Sequence, residues 1–136
     1  MASPDDSPLL SDALGRAAAR LAEAGIADPP VDAELLAAFV LGSGRGGVQA
    51  AAIRGDRLTA EDAARLDDLV VRRVTREPLQ HITGTAPFRH LELRVGPGVF
   101  VPRPETEMVA QLAIDALRAA ASMSPIAVDL GTGSGA

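Results

Sequence analysis

The sequence of 136 residues is long enough for one average domain, or for one small domain with part of a second. It has no Cys and only two His, so disulfides and thiolate metal sites are excluded and no metal is expected, and no apolar run approaches the roughly 20 residues that cross a bilayer. A net charge of -5, the absence of Lys and an aromatic content of 2% argue against direct nucleic-acid binding, and without a visible secretory signal we expect a cytoplasmic protein.

Two amphipathic helices are predicted near the start of the chain. Residues 9–24 carry apolar side chains at spacings of three and four, the period of a helix with one buried face, and Gly25 is a natural stop. Asp28 is a residue type that caps helices, and residues 31–41 then continue the pattern. The prolines between them are tolerated in a first helical turn.

Two further helices complete a predicted all-α domain. A short helix over residues 48–54 follows two adjacent glycines, which disfavour an earlier start. Thr59 is the predicted N-cap of the fourth helix, with Asp62 at the reciprocal capping position, and the apolar stripe continues to about Arg76. We therefore expect residues 1–76 to form a small helical domain.

Arginines are concentrated in the middle of the chain. Residues 45–103 hold ten Arg against seven acidic residues, whereas the segments on either side are acidic. Arg72 and Arg73 fall in the last turns of the fourth helix, where the helix dipole favours a positive charge. Two interpretations stay open: a docking patch for a protein partner, or a solvated helix face.

Residues 77–104 are predicted to form a linker and a β-hairpin. The segment "REPLQHITG" indicates a short helix or turn that ends at Gly84. From Leu91 to Val95 apolar and charged residues alternate, which is the period of a half-buried strand. The "GPG" that follows predicts a turn into a returning strand over residues 99–101.

A helix and a glycine-rich loop are predicted next. The prolines of "PRPETE" lead into a helix that has Glu105 and Glu107 near its start. Residues 126–130 predict a buried strand. This strand runs into the loop at residues 131–135, whose alternating glycines let backbone N–H groups approach a ligand.

The glycine loop leaves two classes of ligand open. Gly131, Gly133 and Ala136 satisfy the G-x-G-x-x-G/A fingerprint of dinucleotide-binding folds, which would indicate a nicotinamide or flavin enzyme. Asp129, in the strand before the loop, instead suits a ligand with an ammonium group and a sulfonium, such as S-adenosylmethionine. The long helical region before the loop also argues against a dinucleotide fold, which commonly begins near this strand.

Three segments in combination resemble a known family. "REPLQHITG" (76–84), "FVPRPETE" (100–107) and "VDLGTGSGA" (128–136), in this order behind a small helical region, are similar to the release factor glutamine methyltransferases of the HemK/PrmC type. The resemblance implies methyl transfer from S-adenosylmethionine to the side-chain amide of the glutamine in the Gly-Gly-Gln motif of peptide chain release factors. It also implies a helical domain that recognises the release factor, followed by a Rossmann-like (class I) α/β methyltransferase domain that would start in residues 105–136.

The same resemblance implies roles for individual residues. Phe100 is similar to an aromatic residue that lines the glutamine pocket of the family. The resemblance implies the following cofactor-binding residues: Pro104, Glu105, Thr106, Asp129, Gly131, Thr132, Gly133, Ser134 and Gly135. No catalytic residue is assigned, because the Asn-Pro-Pro-Tyr signature that orients the glutamine amide in the family does not occur in the 136 residues. We therefore expect a truncated methyltransferase domain and a chain that is inactive alone.

Other functions stay open at this point. A glutamine methyltransferase that acts on a ribosomal protein would share these motifs, and a non-catalytic helical module could engage a partner through residues 1–76 alone. Under the main interpretation the partners are peptide chain release factors, the cofactor is S-adenosylmethionine, and the protein is a monomer without a membrane or nucleic-acid partner.

Overall fold

The computed structural model describes residues 7–136 and divides the chain into two compact units. One unit ends at Thr83, and the other comprises Gly84–Ala136. Residues 1–6, which the sequence analysis includes in the helical domain, lie outside the described residues. The described helices and strands are α1 (Leu10–Glu23), α2 (Pro29–Leu41), α3 (Arg45–Arg54), α4 (Ala60–Val74), α5 (Leu79–Thr83), β1 (Thr85–Phe88), β2 (Leu91–Arg94) and α6 (Pro104–Ala119).

The helical unit is built around α2. This helix packs against α1, α3, α4 and α5, which explains why its sequence is apolar on nearly every side. In contrast, α1 and α4 each bury a single stripe, as their spacing predicts. The largest fully buried side chains come from four helices and are Leu10, Leu21, Leu36, Val48 and Val70. The first four predicted helices therefore share one core.

The ends of these helices largely follow the predicted signals. The Thr59 hydroxyl accepts a hydrogen bond from the N–H of Asp62 at 3.0 Å and donates one to the Asp62 carboxylate at 2.8 Å. Gly25 follows α1 with a φ of 71°, a left-handed conformation that ends a helix and that glycine adopts without steric cost. Asp28 occupies the N-cap position of α2, but its side chain makes no capping hydrogen bond.

The third helix begins earlier than the sequence predicts. It covers Arg45–Arg54, so the two glycines that were expected to precede it lie in its first turn. Two contacts offset their low helix propensity: Arg45 donates a hydrogen bond to Glu34 of α2, and Val48 is fully buried. The predicted start at residue 48 was wrong because these tertiary contacts outweigh local propensity.

The helical unit extends beyond residue 76, where the sequence analysis ends the helical domain. After α4, Arg76 takes a left-handed φ of 71°, and its guanidinium donates to the carbonyl of Ala24 at 2.9 Å. The chain then turns into α5, which packs against α2 and α4. Ile82 of α5 belongs to the same buried core. The compact unit thus includes α5 and ends at Thr83.

The β-hairpin forms with a different partner from the one that the sequence predicts. The alternating segment becomes β2, but it pairs antiparallel with β1, which precedes it, and residues 99–101 form no strand. Phe88 lies opposite Leu91, so the loop between the strands has only two residues. The first of them, Arg89, has a positive φ of 54°, the backbone conformation that two-residue hairpin loops require.

The "GPG" segment forms a turn without a hairpin. The N–H of Val99 donates to the carbonyl of Gly96 at 2.9 Å, and Gly98 has a φ of 83°. The predicted turn is therefore present, but its following residues do not pair with β2. Turn residues alone do not decide the pairing, because they do not show which segment lies beside β2.

The second unit contains one long helix after the hairpin. α6 begins at Pro104, as "PRPETE" predicts, and none of its residues is buried in the described chain. Residues 126–130 have no regular secondary structure, and the described sheet contains only β1 and β2. The predicted strand does not form here because a strand needs a neighbour for its N–H and C=O groups. The described chain is mostly helical with one antiparallel hairpin, as expected from the sequence.

Candidate functional site

Most arginines of the helical unit lie beside carboxylates of the same unit. Five of those in the predicted Arg-rich segment form ion pairs inside the unit: Arg45, Arg54, Arg65, Arg72 and Arg73. The Arg72 guanidinium binds both carboxylate oxygens of Glu77, at 2.8 and 2.6 Å. This hydrogen bonding raises the pKa of Arg72 and holds the pKa of Glu77 below its usual value. The Arg excess therefore contributes to ion pairs within the fold, a role that neither of the two interpretations drawn from the sequence included.

A cleft in the second unit brings together two of the motifs that the sequence analysis singled out. Its volume is about 310 Å³. One side consists of residues 100–103 and Thr106, from the segment that leads into α6 and its first turn. The other side consists of Asp129, residues 131–134 and Ala136. Segments that are separated in the sequence by the whole of α6 thus line one cleft.

The glycine loop has a backbone that only glycine adopts easily. Gly131, Gly133 and Gly135 have φ values of 75°, 54° and 82°, all in the left-handed region. A Cβ atom built on any of the three would meet no atom closer than 4.0 Å, so backbone conformation rather than crowding explains the glycines. The N–H of Gly135 donates to the carbonyl of Thr132 at 2.8 Å and closes the turn.

Most of the predicted site residues line this cleft. Those that do are Phe100, Thr106, Asp129, Gly131, Thr132, Gly133 and Ser134. Pro104 and Glu105 lie in the first turn of α6, and Gly135 lies in the loop, but none of these three lines the cleft. Phe100 is 83% exposed, so its ring is not packed in a hairpin core.

Four lining residues were missed by sequence reasoning. They are Val101, Pro102, Arg103 and Ala136. All four lie in motifs that also contain assigned residues, so the continuity of "FVPRPETE" and of the glycine loop was the available signal. Arg103 is the N-cap residue of α6 and brings a positive charge to a cleft that also contains the carboxylate of Asp129.

Two features of residues 7–136 bear on metal binding and on membrane insertion. No group of three or more His, Asp or Glu side chains is close enough to hold a metal ion in this part of the chain. No single helix there is both long and apolar enough to cross a bilayer, although α2 and α3, bent by 92° at their junction, reach that length and composition as a pair.

Comparison with known proteins identifies a family and longer relatives. Residues 12–84 match the family model of the PrmC N-terminal domain. A release factor glutamine methyltransferase of Streptomyces coelicolor is 53% identical over 131 residues, which are 94% of this chain and 43% of that protein. The proteins of the same name from Bifidobacterium longum and Corynebacterium glutamicum are 47% and 49% identical, over 94% and 93% of this chain and 44% and 43% of theirs. The chain spans less than half the length of these relatives.

Proposed function

The chain belongs to the PrmC N-terminal domain family, and from this premise we propose that it serves in glutamine methylation of peptide chain release factors. The substrate group is the side-chain amide of the glutamine in the Gly-Gly-Gln motif, and the methyl donor is S-adenosylmethionine. The observation that carries the proposal is the cleft in which the "PRPETE" segment and the glycine loop meet.

The chemistry of the cleft fits this cofactor. Asp129 supplies a carboxylate that can accept hydrogen bonds from the ammonium group of the methionine part. The glycines leave the loop backbone open, so its N–H groups can approach the ligand without side chains in the way. S-adenosylmethionine supplies a methyl group on a sulfonium, which is already a good leaving group. The protein residues therefore have to bind the cofactor and to orient the glutamine amide toward its methyl group.

Each unit has its own proposed role toward the substrate. Phe100 presents an exposed aromatic ring in the cleft, where it can pack against the aliphatic part of a glutamine side chain. The helical unit has its own buried core and would recognise the release factor. The relatives from Streptomyces coelicolor and Bifidobacterium longum are named for the modification of release factors, which supports the choice of substrate.

The 136-residue chain by itself is proposed to be inactive. Ile126, Val128 and Leu130, which precede the glycine loop, are all more than three-quarters exposed and lie in a segment without regular structure. Nothing in residues 7–136 pairs with this segment, so the loop that follows it is poorly fixed for ligand binding. We expect no measurable binding of S-adenosylmethionine by calorimetry, and micromolar binding, about 8 kcal/mol of affinity, would contradict this part of the proposal.

A chimera tests the activity itself. Residues 1–136 are joined to the part of the Streptomyces coelicolor relative that this chain does not cover, and the purified protein is incubated with a release factor and S-adenosylmethionine. Mass spectrometry is expected to find one methyl group on the glutamine of the Gly-Gly-Gln motif, and none on a release factor with alanine at that position. A chimera that melts cooperatively but leaves the glutamine unmodified would overturn the proposed function.

A further inference from the structure

The geometry of the cleft points to Arg103 as the residue that binds the carboxylate of the methionine part of S-adenosylmethionine, while Asp129 binds the ammonium group. This inference rests on the proposed function and adds a specificity-determining residue to it. None of the motif assignments made from the sequence includes Arg103.

The first observation is the placement of two opposite charges without partners. Arg103 and Asp129 line the same cleft. Within residues 7–136 neither side chain forms an ion pair or hydrogen bond, with the other or with any third residue. The six arginines of the helical unit that form ion pairs differ in this respect. A cleft that holds a cation and a carboxylate apart complements a zwitterionic ligand, such as the α-amino acid group of the cofactor.

The second observation is that the backbone holds Arg103 in place. Pro102 and Pro104 flank it, and a residue before proline is restricted to extended conformations. Its φ of -90° and ψ of 142° fall in that extended region. The side chain therefore starts from a backbone with little freedom to lose when a ligand binds, which favours affinity.

The third observation is the chemistry of the group. A guanidinium presents two parallel N–H donors that match the two oxygens of a carboxylate, and such a pair is stronger than a neutral hydrogen bond. Arg103 also occupies the N-cap position of a helix of 16 residues, so the positive end of the α6 dipole lies on the same side of the cleft. Both effects favour an anionic group beside Arg103, and the cofactor has only one such group.

The experiment compares two ligands that differ only at this carboxylate. Isothermal calorimetry on the chimera measures the affinity for S-adenosylmethionine and for its decarboxylated form, which keeps the ammonium group and the sulfonium. We expect Arg103→Ala to weaken S-adenosylmethionine binding by about tenfold or more and to leave the affinity for the decarboxylated ligand unchanged. Arg103→Lys should recover part of the loss, since a charge remains but the paired donors do not.

Two control variants make the comparison specific. Arg118→Ala removes a charge from the other end of α6, away from the cleft, and should leave both affinities unchanged. Asp129→Asn should lower the affinity for both ligands, because both carry the ammonium group. Cooperative melting of each variant confirms that it is folded.

The possible outcomes separate this inference from the proposed function. An equal loss for both ligands in Arg103→Ala would mean that the residue shapes the cleft rather than binding the carboxylate, and it would overturn the inference. Unchanged affinity for S-adenosylmethionine would overturn it as well. A folded, unsubstituted chimera that binds neither ligand would contradict the proposed function, and this inference with it.

Discussion

Arg73 and Asp32 join α4 to α2 through an ion pair of 2.7 Å, and their side chains are only 18% and 13% exposed. Arg73 also donates to the carbonyl of Glu77 at 3.0 Å. The change Arg73→Ala leaves the Asp32 carboxylate largely buried without its partner, so we expect the free energy of unfolding to fall by about 1–3 kcal/mol. Urea denaturation followed by circular dichroism measures this difference.

The matched control for this prediction is Arg54→Ala. Arg54 pairs with Asp56 at 2.7 Å, but both side chains are exposed, and such pairs contribute about 0–1 kcal/mol. Equal losses of unfolding free energy in Arg73→Ala and Arg54→Ala would contradict the distinction between a largely buried and an exposed ion pair. A charge reversal at Arg73 would weaken the helical unit itself, so it is not a clean test of partner docking.

Glu34 gives the helical unit a dependence on pH. The hydrogen bond from Arg45, assisted by one from Gln49, holds the pKa of the Glu34 carboxyl below its usual value in spite of partial desolvation. A carboxyl with a lowered folded pKa stabilises the fold above its unfolded pKa, about 4.3, and loses that contribution as the pH falls through the folded pKa. Between about pH 5 and about pH 3, the unfolding free energy of Glu34→Gln should therefore fall less than that of the unsubstituted chain.

Urea denaturation at a series of pH values tests this expectation. Glu61→Gln serves as the control, since Glu61 is exposed and has no ion pair among the described residues. It should keep the pH profile of the unsubstituted chain. If the unfolding free energy of Glu34→Gln falls on acidification as steeply as that of the Glu61→Gln control, the Arg45 contact does not lower the pKa of Glu34.

At the scale of single elements, the start of α4 depends on one side chain. Thr59 accepts from one backbone N–H of the first turn and donates to the Asp62 carboxylate. Thr59→Ala removes both contacts and should cost about 1 kcal/mol of unfolding free energy, whereas Thr59→Asn keeps a capping acceptor and should cost less. Thermal melts of both variants compare them. A larger loss in the asparagine variant would show that the methyl group of Thr59, and not its cap, stabilises this end.

The hairpin shows where element prediction from the sequence fails. The alternation from Leu91 to Val95 correctly located β2, because the side chains of a strand alternate between two faces. Its partner β1 contains Pro87 and no clear alternation, so no local pattern marked it as a strand. The loop between them, Arg89 and His90, lacks the Asn-Gly or Asp-Gly signature of two-residue turns. Strand pairing depends on both segments together, so the sequence of either strand alone does not show which segment pairs with it.

At the scale of the whole molecule, the position of α5 predicts where the helical unit can be cut. Residues 1–83 should melt cooperatively when produced alone, whereas residues 1–76 lose α5 and with it the burial of Ile82, which is 5% exposed. Burial of one such side chain contributes about 1.5–3 kcal/mol, so the shorter fragment should be less stable by about that amount. Denaturation of the two fragments in parallel measures the difference.

A pair of single substitutions makes the same test inside the longer fragment. Ile82→Ala should reproduce most of the loss, and Ile53→Ala should cost almost nothing, because Ile53 is exposed. Equal stability of the two fragments would mean that α5 lies on the unit without supporting it.

The residues of the candidate site were predicted from the sequence more accurately than the strand that was expected to precede the glycine loop. Short motifs marked the cleft residues because glycines with positive φ and prolines at a helix start constrain the backbone locally. The predicted strand at residues 126–130 did not form, since its pairing depends on neighbours that the described chain does not provide. Arg103 lies inside the "FVPRPETE" motif, but only the folded chain shows that it shares a cleft with Asp129.

The segment before the glycine loop has a consequence for handling the protein in solution. "IAVDL" is short, rich in residues that favour β-structure, and exposes Ile126, Val128 and Leu130 with no strand beside them. Such a segment is a template for pairing between molecules, and a charge within it opposes that association. Asp129 is its only charged residue, so the carboxylate proposed to meet the cofactor also acts as a gatekeeper against aggregation. Neutral substitutions at this position will lower the concentration at which the 136-residue chain stays dispersed, whatever they do to ligand binding.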